Sequence, residues 1–391
     1  MRSVELFAGA GGLAIGMSNA GFHHAAVIEW DHDACETFRE NQRDDLHSVE
    51  KWPLFEGDVR KFDYSHLKDV MVISGGPPCQ PFSMGGKHRG YMDTRDMFPQ
   101  AVRAVRELQP KAFIFENVKG LLRETFADYF EYIQLQLTHP NFIRRKSESW
   151  REHRIRLEKH HTSLRDHTEY NVVFRLLNAA NYGVPQRRER VFLVGFRSDL
   201  GIEWSFPEGA HSENKLLYSQ WVTGEYWDRH KVTSRKRPQL DVRQAIRVEK
   251  LRSDSLFDST KLPWLTVRDA IGDLPDPEKN SRNGIPNHLF NPGARSYKGH
   301  TGSPLDEAAK TLKAGDHGVP GGENMLARVD GSVRYFTVRE AARLQTFPDN
   351  YLFHGAWTEA MRQLGNAVPV RLAETVATSV ATTLSRTEGR N

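Results

Sequence analysis

The first 120 residues alternate short apolar runs with amphipathic stretches. Val4–Phe7 predicts a strand, Gly9–Gly12 a turn and Leu13–Ala20 a helix closed by Gly21. Ala25–Trp30 predicts a second strand and Asp33–Asn41 its helix. Val70–Ser74 and Ala112–Phe115 are two further buried strands by pattern, with a possible additional one before Asp58. Strands separated by helical patterns indicate βαβ units and a parallel sheet. Residues 122–170 are polar with a helical period, which predicts an insertion, and Tyr170–Leu177 and Arg190–Phe196 return as strands. From about 198 to 333 aromatic, Pro, Gly and charged residues mix without sustained period, and short strands are the most this pattern predicts. PDPEKNSRNGIPNH and KAGDHGVPGGEN are loops by composition. Thr337–Leu344 predicts a helix, and Val370–Leu384 an amphipathic C-terminal one.

Composition narrows the class. The 391 residues suffice for two domains, and 38% hydrophobic with 27% charged residues is globular usage. No apolar run approaches the roughly 20 residues of a membrane helix, and the N-terminus enters a strand where a secretory leader would be basic. The expectation is a soluble cytoplasmic protein with no membrane partner. Two cysteines, Cys35 and Cys79, exclude a disulfide framework and a thiolate zinc cluster. His160 and His161 lack carboxylate or Cys partners at ligand spacing, so no metal is expected.

The net charge of +4 is unevenly spread. Residues 229–252 hold nine Lys/Arg against two Asp/Glu, and residues 141–168 hold eight against four. Each stretch is either a phosphate-contacting surface or a solvated face.

Gly9-Ala10-Gly11-Gly12-Leu13-Ala14 follows a strand and opens a helix, and Glu29 lies 20 residues after Gly9 at the end of the next strand. Glycines let backbone approach a ligand, and an acid there bonds ribose hydroxyls. NAD, FAD and S-adenosylmethionine all satisfy that chemistry. Asp58, in GDVR, is an adenine-side acceptor or a plain cap.

Val70–Ser74 leads into GGPPCQPFS, which places Cys79 at the carboxyl end of a strand, where open α/β sheets bind ligands. A thiol there is a candidate nucleophile, whereas Cys35, inside a helical pattern, reads as a buried apolar side chain. Glu116, in FENV, follows its strand in the same way. QRRERVFLVG sets three arginines before or at another strand, suiting an anionic or base-like substrate.

In linear order, LFAGAGGLAIGM, VIEWD, GDVR, GGPPCQPFS with GKHRGYMDTRDMF, FENVKG, QRRERVFLVG, REAARLQTFPD and QLGNAVPV resemble the motifs of bacterial-type DNA (cytosine-5) methyltransferases. They span Leu6 to Val370, and the likeness is weak over 122–168 and 198–333. The resemblance implies a Rossmann-like α/β domain that binds S-adenosylmethionine and releases S-adenosylhomocysteine, with a smaller, irregular β-rich target-recognition domain. It divides the chain into a catalytic domain (1–197 plus 360–391), a recognition domain (198–335) and a hinge (336–359). By motif position Phe7, Gly9, Gly11, Gly12 and Pro78 line the cofactor. Glu29 takes its ribose, Trp30 stacks on adenine, Asp58 bonds the adenine amino group, and Asn366 contacts the cofactor from the last motif. Cys79 becomes the nucleophile, Glu116 the acid beside it, Arg190 the arginine on the base, and Arg188 a support for Glu116 or its loop. Ser83 and Arg95 fall on a loop that closes over DNA.

The implied reaction is methyl transfer to carbon 5 of a flipped cytosine in a specific double-stranded DNA sequence. A cognate restriction endonuclease is then a functional rather than physical partner, and the enzyme is expected to be a monomer. A family branch that methylates tRNA, a base-flipping protein without catalysis and a dinucleotide oxidoreductase are the rivals. The length of 198–333 and the intact Cys79, Glu116 and Arg190 weigh against them.

Overall fold

The computed structural model describes residues 1–43, 51–78, 96–163, 169–253, 260–280, 284–298, 300–315 and 324–388. The chain divides into two compact units. One comprises Met1–Leu177, Glu189–Pro207 and Ala373–Asn391, the other Asn178–Arg188 and Glu208–Leu372.

The first unit runs β1 (Arg2–Leu6), α1 (Gly12–Asn19), β2 (His23–Glu29), α2 (His32–Arg43), β3 (Leu54–Glu56) and β4 (Val72–Gly75). It continues with α3 (Phe98–Leu108), β5 (Ala112–Val118), α4 (Ala127–Thr138), α5 (Trp150–Ser163), β6 (Tyr170–Asn178) and β7 (Glu189–Arg197). One sheet has the order β3-β2-β1-β4-β5-β7-β6. Its β3-β2-β1-β4-β5 part is parallel, and β7 joins β5 antiparallel. The central strands β1, β4, β5 and β7 are buried on both faces, which is why they read as apolar runs. Val4, Leu6, Ile73, Phe113 and Phe115 turn one face onto Phe98, Ala101 and Val105 of α3 and Ile133 and Leu137 of α4. On α1, a Cβ at Gly16 would meet Ala373 Cβ at 2.5 Å, so the C-terminal helix (Val370–Glu388) approaches α1 backbone to backbone there. Strand order reverses at β1, between β2 and β4, and in open α/β sheets the ligand crevice lies outside such a point.

The polar insertion is part of the core. Trp150 and Leu157 of α5 are buried, and Tyr132 Oη lies 2.9 Å from His153 Nδ1. Two of its cations are paired: Arg154 with Asp128 and Glu131, and Arg156 with Glu148, whose carboxyl it holds down at about 2.

The second unit contains β8 (His211–Ser212), α6 (Glu213–Trp221), α7 (Glu225–Arg229), α8 (Val242–Ser253), β9 (Leu262–Pro263) and α9 (Val267–Ile271). After these come β10 (Ser303–Pro304), β11 (Met325–Ala327), β12 (Val333–Tyr335), α10 (Val338–Leu344) and α11 (Trp357–Asn366). The strands form a three-stranded and a two-stranded sheet. The aperiodic texture hid four helices, α6 to α9, because short helices around an aromatic core of Tyr226, Trp227 and Trp264 show little period. Tyr226 Oη lies 2.9 Å from both Thr266 Oγ1 and Asp306 Oδ1, and Arg268 grips the same Asp306 carboxylate. Thr337 caps α10 in a reciprocal box with Glu340, which Arg334 also pairs in the interior. By packing, 178–188 and 336–372 belong with this unit, because α10 packs on both α9 and α11. This compact unit ends at Leu372. No helix among the described residues is long and apolar enough to cross a membrane.

Candidate active site

The carboxyl end of β1 turns sharply. Phe7, Gly9 and Gly11 all have positive φ (55°, 53° and 83°), and Gly11 leads directly into α1. A Cβ at Gly9 would meet nothing within 4 Å, so this glycine is there for its backbone conformation and open space lies beside it. Glu29, at the end of β2, is buried. It accepts from Gly9 N (2.7 Å) through Oε2 and from Trp30 N and Asp31 N (both 2.8 Å) through Oε1. Burial pushes its carboxyl above the usual range, and the three amides pull it back. Trp30 is 74% exposed, a flat apolar surface beside that acid. A buried acid, an uncovered indole and open room over a glycine fit an adenosine-bearing cofactor.

Asp58 caps the turn after β3 through Arg60 N (2.9 Å), and Arg60 Nε and Nη2 bind its carboxylate at 2.8 and 2.6 Å. Asp58 thus stands in its cap geometry, paired with Arg60. The pair also holds the Asp58 carboxyl below its usual range.

At β4 and β5 the second half of the site assembles. Glu116 is buried, and Arg190 Nε lies 2.8 Å from its Oε1. Adjacent antiparallel strands β5 and β7 set this pair, near the end of one and the start of the other. Phe113 and Phe115 lie in the core on the opposite face of β5, so the guanidinium is the neighbour of Glu116. Burial draws Arg190 below its ordinary range, against the pull of Glu116. A Cβ at Gly76 would stand 3.3 Å from Glu116 Oε2, so the GGPP segment passes directly over the acid. Asn117 Nδ2 donates to Pro77 O (2.8 Å) and Met97 N to Pro78 O (3.1 Å), anchoring the segment that leads to Cys79. Sequence reasoning assigned Asn117 no role, although its signal was present: an amide beside an acid at the end of an apolar strand. Cys79, Ser83 and Arg95 lie outside the described residues. Cys35 is buried on α2, and burial pushes its thiol up to about 12, as suits an inert side chain.

Arg188 is fully buried in the second unit, where Nη1 donates to Leu312 O (3.0 Å) and Nη2 to Gly365 O (2.7 Å) and Ala367 O (2.9 Å). Two of these carbonyls lie on either side of Asn366, so Arg188 shapes the QLGNAVPV segment. Asn366 itself is exposed at the end of α11. Among the described residues no group of three or more His, Cys, Asp or Glu is placed to hold a metal ion.

The family model for C-5 cytosine-specific DNA methylase matches residues 1–142 and 151–382. A Type II methyltransferase, M.NgoMIV of Neisseria gonorrhoeae, is 30% identical over 393 residues, covering 98% of each chain. M.Eco47II of Escherichia coli, also a Type II methyltransferase, is 31% identical over 394 residues, 99% of this chain and 80% of that one. Among solved structures, Dnmt2 methyltransferase of S. pombe aligns with a TM-score of 0.54 at 16% identity, covering 99% of both chains, a likeness of fold.

Proposed function

The chain belongs to the C-5 cytosine-specific DNA methylase family, and from that premise we propose how its own residues divide the methylation of cytosine in double-stranded DNA. S-adenosylmethionine, which the turn Phe7–Gly12, Glu29, Trp30 and Pro78 would hold, would supply the electrophilic methyl group. Glu29 takes the ribose hydroxyls and Trp30 stacks on the adenine, with Asp58 at the adenine edge once Arg60 yields.

Carbon 5 of cytosine is a poor nucleophile, and a target atom inside a duplex is out of reach until the base leaves the stack. Cys79, as thiolate, adds to carbon 6 and makes carbon 5 electron-rich. Glu116 holds a proton at ring nitrogen 3 as charge builds there. Arg190 orients that carboxyl and offers its guanidinium to the ring carbonyl oxygen. Loss of the proton from carbon 5 then expels the Cys79 sulfur. The observation that carries this reading is the buried Glu116–Arg190 pair lying against Gly76, three residues before Cys79.

Residues 198–335 serve as the target-recognition domain, and 336–359 as the connection to the catalytic domain of 1–197 plus 360–391. The Type II names of the relatives support host protection alongside a cognate endonuclease, with the methylase acting as a cytoplasmic monomer.

DNA carrying 5-fluorocytosine at the target tests the mechanism. Fluorine cannot leave as a cation, so the bond from Cys79 to carbon 6 should persist on denaturing gels. The adduct should vanish in Cys79→Ala and remain in Cys35→Ala. Trapping without Cys79 would remove the assignment, and labelled methyl entering tRNA but not DNA would remove the choice of substrate.

A further inference from the structure

Just before both functional loops, two facing strand positions are polar and buried. Glu5 on β1 is 1% exposed. Directly across the parallel register on β4 lies Ser74, fully buried, whose hydroxyl donates to Glu5 Oε2. The next pair, Leu6 and Gly75, meets through backbone: a Cβ on Gly75 would stand 2.4 Å from Leu6 O. Beyond these pairs β1 continues into Phe7 and the glycine turn, and β4 into Gly76–Pro78 toward Cys79. The two strands also flank the point where strand order reverses.

An apolar pair would fill this space at lower cost, because a buried acid forfeits hydration. We propose that Glu5 is a positioning residue: through Ser74 it keeps the glycine turn after β1 and the Gly76–Pro78 segment after β4 in register. The proposal rests on the methylase reading above and adds a residue to it.

Burial pushes Glu5 up to about 8, against the pull of the Ser74 hydrogen bond. Elements packed around it bring other titratable groups. On β2 these are His24, held by Ser3 Oγ and Ala14 O, and Glu29, held by three amides. The C-terminal helix brings Glu374, which accepts from Asn19 Nδ2 of α1. The folded chain keeps a proton that the unfolded chain releases near 4.5. The contribution of Glu5 to stability therefore falls as pH rises from 4.5 to about 8, and is constant above that.

Full-length wild type, Glu5→Gln and Ser74→Ala are compared by calorimetry with S-adenosylmethionine, by single-turnover methyl transfer to DNA, and by thermal melting. The expected wild-type rate falls with a one-proton slope as pH rises through about 8, and Glu5→Gln lacks that limb. Its melting temperature relative to wild type should climb over the same window. Ser74→Ala should bind S-adenosylmethionine about tenfold more weakly, the worth of one buried hydrogen bond. An alkaline limb that persists in Glu5→Gln would overturn the proposal. So would Ser74→Ala with a lowered melting temperature but unchanged affinity and rate, since that is a structural role alone. Failure of the methylase reading looks different: wild type would put no labelled methyl into DNA at any pH, while the melting and binding arms would still judge Glu5.

Discussion

Glu29 shows how much one side chain at a strand end has to do. Its carboxylate receives three backbone amides, one from the glycine turn and two from its own following residues, and so joins β2 to the turn after β1. Glu29→Ala should weaken S-adenosylmethionine binding by about 1–3 kcal/mol, the cost of a lost charge-assisted hydrogen bond. Part of that loss comes from the freed turn. Calorimetry checks the value, and saturable binding of NAD in its place would contradict the cofactor. The position of Glu29 was legible from spacing, 20 residues after Gly9 at a strand end. So was the cap at Asp58, but the partners of Arg188 were not, because a motif names a residue type and leaves open which neighbour takes its donors or acceptors. Asp58 meets Arg60 two residues on, whereas Arg188 meets carbonyls 124, 177 and 179 positions away.

The basic stretch 229–252 illustrates the scale of elements. The structure divides its nine cations by what each touches. Arg229 pairs with Asp269, Arg247 bonds Glu213 and Asn214, Arg252 reaches Trp221 O and Arg237 lies over the Trp227 ring. Lys231, Arg235, Lys236, Arg243 and Lys250 are exposed, and they form no ion pair among the described residues. Replacing these five by alanine should weaken DNA binding and flatten its salt dependence, by roughly one counterion for each phosphate no longer neutralised. Arg229→Ala and Arg247→Ala should leave the salt slope nearly unchanged and lower the melting temperature. Equal slopes for the two groups would show the stretch to be a solvated face. Strands and amphipathic helices of the first unit were legible because burial on both faces, or on one, imposes a period. Helices α6 to α9 and α11 were not: each runs for five to twelve residues, and α6 and α7 pack around aromatic side chains from several segments.

For the whole molecule, the segments that complete each unit come from distant stretches of chain. The C-terminal helix returns to α1, where Gly16 admits Ala373, and Arg188 gathers Leu312, Gly365 and Ala367 in the second unit. Arg188→Ala would leave three buried carbonyls without this donor and should cost at least about 3 kcal/mol, read as a lower melting temperature. A variant that melts like wild type would show that the segment around Asn366 holds itself. The linear motifs alone determined the family, the parallel sheet, the glycine turn after β1, and the placing of Glu29 and Glu116 at or near strand ends. These are local consequences of turn chemistry and strand period, so they survive in one dimension. Tertiary structure decided that Arg190 and not Phe113–Phe115 faces Glu116, that Asn117 anchors the loop over it, that Arg188 clasps backbone, and that the second unit ends at Leu372. Each of those depends on pairing across strands or on burial against remote chain, and neither leaves a period in the sequence.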